Sequence, residues 1–248
     1  MKIVEVKSIQ DLIVALGEDN TGYEGQTWYR GQANADWGLL PGYFRLISPP
    51  SESTLIKQFK QNASMLIEKT PKDSFDWLFL MQHYGVPTRL LDWSESPLIG
   101  LYFAVENHSR HLSTPAALWA LRPSELNKNA GLNDADEAHF IPSFEDSELE
   151  SYTVEILAQN SRNKLKPLAT IATRNNARIQ AQHGVFTIHH HDHVPIETIG
   201  NSTHVVKYVI PDEFKSSIKN QLGLLGFTKF QLFPELASIG DIIKGRLG

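Results

Sequence analysis

The spacing of apolar residues changes along this chain of 248 residues from a helical to a strand-like pattern. Four segments of the first half, residues 8–18, 51–69, 75–85 and 97–107, are typical of helices. In the second half, the runs VFTIHHH and HVVKYVI alternate between apolar and polar residues, as half-buried strands do. We therefore predict an α+β fold, in which a helix-rich N-terminal half packs on a mixed or antiparallel sheet from the C-terminal half.

Shorter elements complete this prediction. The alternating start MKIVEVKS and the apolar run AALWAL indicate two more strands, and QTWYR is a β-like run that breaks at Gly31. Residues 211–226 indicate a helix, and the tail from residue 227 indicates a strand, a turn at Pro234 and a final helix. Because neither half alone has enough strands for a stable sheet, the N-terminal strand should pair with strands of the second half. We expect residues 1–248 to form a single domain.

The composition excludes several classes of protein. A net charge of −5 argues against a general nucleic-acid coat, although it is compatible with a local basic cleft. The absence of cysteine excludes disulfides, a thiolate zinc site and a cysteine nucleophile. No apolar run approaches the roughly 20 residues of a membrane-spanning helix, and the start lacks the pattern of a secretory signal. We expect a cytoplasmic protein without membrane contact, and an acidic surface excursion over residues 127–150.

Residues 28–45, WYRGQANADWGLLPGYFR, combine aromatic and polar side chains. Arg30 ends the strand-like run, so its guanidinium can project from a sheet edge into a cleft, where its planar fork suits phosphate or carboxylate. The alternative is an arginine paired with a structural carboxylate such as Asp36 or Asp92. The residues leave both interpretations open.

Residues 81–98, MQHYGVPTRLLDWSESPL, form a second polar cluster, which we predict to be a loop between two apolar helices. Arg89 and Asp92 are three residues apart, and we expect a largely buried, structural pair with Trp93 packed beneath it. His83 and Thr88 are better placed to face a ligand. We also expect Arg30 to line the main polar pocket beside residues of this cluster.

Histidines of the second half suggest two further sites. The run from His189 to His193 resembles a metal site, but consecutive strand residues point to opposite faces, so a solvated strand end is favoured and no metal is predicted. His183, beside Gln182, is the better functional candidate, although a buried hydrogen-bonded histidine would give the same pattern. We expect the segment of Gln182 to converge with Arg30 in space.

The same motifs resemble the FRG domain, which is named for its (F/Y)RG motif. The chain has YRG at residues 29–31, followed by Trp37, Pro41 and Arg45. The strings that continue the resemblance are QHYGVPTRLLDW, PLIGLYFA, RIQAQHGVF at residues 178–186 and LFPEL at residues 232–236. GVPTRLLDW is the specific string, whereas YRG alone is a weak signal. The resemblance implies a single FRG-like domain with a core over about residues 20–248.

FRG domains in turn resemble ADP-ribosyltransferases distantly, and this implies a set of roles. Arg30 would hold the phosphate or ribose of NAD, and Thr88 would line the nicotinamide pocket. A late-strand glutamate should stabilise the oxocarbenium-like transition state, but the best match, Gln180-Ala181-Gln182, offers a neutral amide. Glu235 or Asp92 could supply the missing charge. The implied catalytic residues are Arg30, Thr88, Gln182 and Glu235, and the implied cofactor-binding residues are Tyr29, Arg30, Gln82, His83, Thr88 and His183.

Two functions follow as hypotheses. In the first, the cleft binds an anionic nucleotide such as NAD and the protein is an ADP-ribosyltransferase or an NAD glycohydrolase, with a protein or nucleic-acid acceptor undetermined. In the second, the same cleft senses a nucleotide or a partner without turnover, in bacterial or phage defence. The missing glutamate motivates the second hypothesis. A nuclease is disfavoured by the acidic balance and by the lack of clustered metal-binding carboxylates.

Overall fold

The computed structural model of the protein describes residues 1–67, 70–106, 113–133, 136–159, 164–173 and 176–247. Seven strands form one sheet within these residues. The strands are β1 Lys2–Glu5, β2 Trp28–Gln32, β3 Leu90–Ser94, β4 Ala116–Leu121, β5 Leu168–Thr170, β6 Gly184–Ile188 and β7 Val205–Ile210. The helices are α1 Ile9–Asp19, α2 Glu52–Ala63, α3 Ser74–His83, α4 Pro97–Val105, α5 Pro123–Asn129, α6 Val154–Gln159, α7 Ala177–Ala181, α8 Asp212–Leu224, α9 Lys229–Leu232 and α10 Leu236–Leu247.

The strand order is β1-β7-β4-β2-β3-β6-β5, and the sheet is mixed. β1 runs parallel to β7, whereas the other neighbours are antiparallel. The predicted α+β class is therefore confirmed, and so is the pairing of the N-terminal strand with a strand of the second half. The sheet also takes β2, β3 and β4 from the first half, so both halves build it. Whether the chain is a single domain stays a prediction.

Apolar residues pack on both faces of the sheet, and the alternation along β4 shows this arrangement most clearly. Every residue of β4 is buried. Leu118 packs with apolar residues of α1, α4 and α8 on one face, whereas Trp119 packs in a second cluster on the other face, with Trp28 and Trp93. A third cluster joins α2 and α3 to the β5 and β6 end of the sheet. No helix in the described ranges is both long and apolar enough to cross a bilayer.

The centre of the sheet opens between β2 and β3. The two strands share a single register position, Tyr29 opposite Ser94. In contrast, β2 pairs with β4 over five register positions, and β3 pairs with β6 over five register positions. Because the two halves of the sheet diverge here, a gap forms beside Arg30 and Asp92, and side chains of both strands can reach it.

Glycine is required where β2 lies against α4. A Cβ atom at Gly31 would overlap the backbone of Gly100 and Ala104, and one at Gly100 would press against Tyr29 and Leu118. The strand runs through Gly31 to Gln32, so the prediction that the run breaks at this glycine is wrong. The glycine of the YRG motif permits close helix-to-strand packing, and this packing fixes the strand that carries Arg30.

Three other predictions need correction. Residues 90–94 were predicted to be part of a loop, but they form β3. The residues on either side of Asp92 are buried, and their burial stabilises the strand. Residues 229–232, predicted as part of a strand, form α9, because Thr228 caps a helical turn by accepting a hydrogen bond from the Gln231 amide. Residues 127–150 are not purely a surface excursion, since Asn127 and Leu149 are buried. Most carboxylates of that segment do lie towards solvent, but Asp146 is half-buried and Asp134 is outside the described residues.

Candidate functional site

A cavity of about 750 Å³ lies where β2 and β3 diverge. Its volume falls within the range of roughly 300–1,000 Å³ that small-molecule sites occupy. The wall is partly aromatic, with Trp37, Phe79, Trp93, Phe103 and Phe186. The acidic and basic residues of the wall are Arg30, Arg45, Lys72, Asp73, Asp76, His83, Asp92, Glu145 and Arg178.

Arg30 is half-buried at the gap between the strands. Its Nη1 donates a hydrogen bond of 2.6 Å to the backbone carbonyl of Asp92. Its Nε is buried and has no hydrogen-bond partner among the residues that the structure describes. Burial lowers the pKa of the guanidinium, the Asp92 carboxylate opposes this shift, and the charge of Arg45 adds to it. In the described ranges, no carboxylate forms an ion pair with Arg30, so the structural pairing considered above is not what holds this side chain.

Asp92 lies in the cavity wall and is exposed, which contradicts the prediction of a buried pair with Arg89. Its Oδ1 accepts a hydrogen bond of 2.5 Å from Nε2 of Gln82. The carboxamide oxygen of Gln82 in turn accepts a hydrogen bond from the hydroxyl of Thr88. Trp93 is buried beside Asp92, as predicted. The three polar side chains thus form a relay that ends at the carboxylate in the cavity.

Arg89 pairs with Glu52 of α2 instead. Its Nε lies 2.6 Å from Glu52 Oε2, and its Nη1 and Nη2 donate to the carbonyls of His189 and Tyr152 at 2.6 and 2.8 Å. Both charged side chains are buried. The predicted burial of Arg89 is therefore confirmed, but the predicted partner is wrong, because Arg89 and Asp92 are separated by an extended chain whose side chains alternate between faces.

Gln182 lines the cavity, so Arg30 and Gln182 converge as predicted. Its side-chain Nε2 donates a hydrogen bond to the Leu232 carbonyl at 3.0 Å. Its backbone carbonyl accepts a hydrogen bond from the Ser94 hydroxyl. Gln182 follows α7, and β6 begins at Gly184, so the amide that matches the late-strand glutamate lies before the strand and not on it. One hydrogen of its side-chain amide holds the segment of Leu232.

His83 lines the cavity at the end of α3, and Glu235 lies behind it. His83 Nε2 is 3.6 Å from Glu235 Oε1, and the His83 carbonyl accepts a hydrogen bond from Arg178. Burial lowers the pKa of His83, Arg178 lowers it further, and Glu235 raises it. The cavity residues include His83 but not Glu235. A carboxylate in direct reach of a ligand is therefore better provided by Asp92.

The remaining predicted residues divide between the wall and the interior. Tyr29 borders the cavity, but its side chain belongs to the core between the sheet and α4. Thr88 is buried behind Gln82 and does not border the cavity. His183 is exposed on the turn before β6 and is also outside the cavity wall. The roles of these residues toward a ligand stay predictions.

The histidine run is more buried than predicted. His189 and His190 are buried, so a solvated strand end describes only the later part of the run. His189 Nε2 lies 3.1 Å from the Val194 carbonyl, which makes that nitrogen the donor. Within the ranges that the structure describes, no group of three or more histidine, aspartate or glutamate residues could hold a metal ion.

Comparison with known families adds one finding to this geometry. Residues 25–113 match the model of the FRG domain. This segment of the chain is similar to the FRG domain. The matched segment contains Arg30, Gln82, Asp92 and the glycines of the β2–α4 contact, whereas Arg178 and Gln182 lie beyond it. No curated protein and no solved structure matches the chain. An ADP-ribosyltransferase-like relation thus stays a prediction for this protein.

Sequence reasoning missed the cavity position of Arg178, and it named Asp92 as a source of charge at the cleft only as an alternative to a structural role. Asp92 was assigned to a structural pair because it lies three residues from Arg89. A signal was present, since Asp92 is the one charged residue in the apolar run LLDWS. Arg178 appeared only as the first residue of a family string, and its position at the cavity depends on the packing of α7 against the end of α3.

Proposed function

We propose that the protein binds an anionic nucleotide such as NAD in this cavity, with the Arg30 guanidinium on the phosphate. The observation that carries the proposal is the state of Arg30: one hydrogen bond to a backbone carbonyl, a buried Nε with no partner among the described residues, and no ion pair there. Buried donors are normally satisfied, so such a group is suited to an oxyanion.

Other features of the cavity support a nucleotide over a simple anion. Arg45 is exposed on the same wall and acts electrostatically on Arg30, so two guanidinium groups can share a diphosphate. Trp37 and Phe103 provide aromatic surface on which a base can stack. The volume of about 750 Å³ accommodates a ligand larger than a phosphate ion.

Turnover of NAD, by ADP-ribosyl transfer or hydrolysis, is the second part of the proposal, and Asp92 is the observation that favours it. A carboxylate in the wall of the same cavity can stabilise positive charge that develops on a ribose. Binding without turnover is the alternative, because the amide of Gln182 cannot supply that charge. Incubation of the protein with NAD distinguishes the two, since released nicotinamide signals turnover.

Calorimetric titration with NAD and ADP-ribose tests the binding proposal. We expect Arg30→Ala to weaken binding by about 10- to 100-fold, because hydrogen bonds to charged groups contribute roughly 1.5–3 kcal/mol. Arg30→Lys should also weaken it, since lysine keeps the charge but loses the fork. Arg122→Lys is the matched control: Arg122 also donates to a backbone carbonyl, that of Asp19, but lies outside the cavity. Unchanged affinity in both Arg30 variants, on folded protein, would contradict the proposal.

A further inference from the structure

The carboxylate of Asp92 is held in the cavity wall by a chain of side-chain hydrogen bonds. Oδ1 accepts the hydrogen bond from Gln82, whose own oxygen is occupied by the Thr88 hydroxyl. Thr88 is fixed as well, because its hydroxyl accepts a hydrogen bond of 3.2 Å from the Leu90 amide. The backbone of Asp92 is held by β6 on one side and by Arg30 on the other. Oδ2 has no partner among the described residues, and the side chain is exposed in the cavity.

We propose that Asp92 is the hydroxyl-binding group of the cavity, and that it selects anions that carry a sugar over anions that do not. Oδ2 accepts hydrogen bonds from sugar hydroxyls while Arg30 binds the phosphate. Thr88 is a positioning residue, which acts on the ligand only by orienting Gln82 and, through it, the carboxylate. This inference rests on the proposed function and deepens it by naming the second contact that the ligand must make.

The charges around Asp92 favour a hydroxyl over a cation as its partner. Arg30 and Arg45 already provide positive charge on this side of the cavity, and they would repel a cationic group. The described residues also contain no acidic cluster for a metal ion. A carboxylate that keeps one oxygen free beside a guanidinium can instead accept a neutral donor, as it does from Gln82.

The relay explains why Thr88 is buried although it was expected to face the ligand. A carboxamide can present either its oxygen or its nitrogen, and the Thr88 hydroxyl, which donates to the oxygen, leaves the nitrogen for Asp92. Without that hydroxyl, Gln82 is free to rotate and the carboxylate loses its fixed orientation. A serine at this position keeps the hydroxyl, whereas a valine keeps the shape and loses it.

Calorimetry with two ligands, ADP-ribose and inorganic pyrophosphate, tests the inference. Asp92→Asn should weaken the binding of ADP-ribose by about 10- to 100-fold. The Gln82 amide donates to the asparagine oxygen, so the asparagine NH2 group, a donor, faces the sugar. The same variant should bind pyrophosphate as well as the unaltered protein, or more tightly, since a negative charge beside Arg30 is gone. Thr88→Val should weaken the binding of ADP-ribose by a smaller factor of about 3–10, whereas Thr88→Ser should bind ADP-ribose as well as the unaltered protein does. Arg30→Lys, in contrast, should weaken the binding of both ligands.

The outcomes separate this inference from the proposed function. If the unaltered protein binds neither ligand, the proposed function fails and this inference falls with it. If it binds ADP-ribose and Asp92→Asn changes nothing, or weakens both ligands equally, the inference is wrong while the nucleotide-binding proposal stands. If Thr88→Ser fails to restore what Thr88→Val loses, with both variants folded, the positioning role of Thr88 is wrong.

Discussion

Arg30 lies on β2 and Arg89 directly precedes β3, and the surroundings of the two guanidinium groups are opposite. The guanidinium of Arg89 makes a bond at each of its three nitrogens, to Glu52, His189 and Tyr152. Among the described residues, the guanidinium of Arg30 makes a single hydrogen bond, to a backbone carbonyl, and its Nε has no partner. A buried arginine whose donors are all satisfied can only hold the fold together, whereas one with unsatisfied donors at a cavity can bind a ligand.

The carboxylates show the same contrast. Glu52 is buried and both of its oxygens accept hydrogen bonds from Arg89. Asp92 is exposed in the cavity and keeps one oxygen free among the described residues. The Glu52–Arg89 pair thus joins α2 to the sheet, while the pair of Arg30 and Asp92 borders the cavity without an ion pair between them. Changes at the first pair should alter stability, and changes at the second should alter binding.

The largest effect is expected for Arg89→Met. Removing one partner of a buried pair strands the other charge and typically costs about 3–5 kcal/mol of the free energy of unfolding. Urea unfolding measures this loss. The double variant Arg89→Met with Glu52→Leu should recover part of it, because the stranded carboxylate is gone. Arg30→Met serves as the comparison and should cost much less. A loss below about 1 kcal/mol for Arg89→Met would contradict the structural role that we assign to it.

A second prediction concerns the stability of the protein at low pH, because the buried His189 lies against Arg89. Burial lowers the pKa of His189 to about 3, the hydrogen bond to Val194 opposes this shift, and Arg89 and His193 add to it. Its ordinary pKa is about 6.5. Between these values the unfolded chain binds a proton that the folded protein does not. Stability is therefore lost as the pH falls from about 6.5 towards 3, by about 1.4 kcal/mol per pH unit for this group.

Urea unfolding at several pH values between 7.5 and 4.5 measures the loss. His189→Gln should lower the slope of stability against pH by about one proton, because the titrating ring is gone. His190 and His204, whose pKa values are also lowered by burial, keep part of the slope in that variant. An equal slope in the variant and the unaltered protein would show that His189 is not responsible.

The sequence predicted the fold class and much of the cavity because those features depend on local patterns. The apolar spacing of α1, α3 and α4 and the alternation of β6 and β7 identify the elements that build the sheet and cover it. The YRG motif lies on a strand held against α4, so the position of Arg30 follows once the glycine packing is present. Gln82, His83 and Gln182 reach the same cavity, as expected.

The partners of the charged residues could not be predicted, because they depend on contacts between distant segments. Arg89 was matched with Asp92, three residues away, although the spacing of three brings side chains together on a helix and not on a strand. The true partner, Glu52, is 37 positions away in α2. Thr88 was likewise expected to face a ligand because it lies close in sequence to the other polar residues of the segment 81–98. Its proximity to Gln82 is local, but the burial of Thr88 behind Gln82 requires the packing of α3 against β3 and β6.

The smallest stability effect is expected for Asp92→Ala, and it reverses what the sequence predicted. Asp92 is exposed and forms no ion pair among the described residues, so its removal should change the free energy of unfolding by no more than about 0.5 kcal/mol. Asp36→Ala, another exposed aspartate but outside the cavity wall, is the matched control. Urea unfolding and calorimetry with ADP-ribose are measured on both variants. Weaker binding for Asp92→Ala alone, with equal stability, assigns Asp92 to the cavity; a loss of several kcal/mol would return it to the structural role of Arg89.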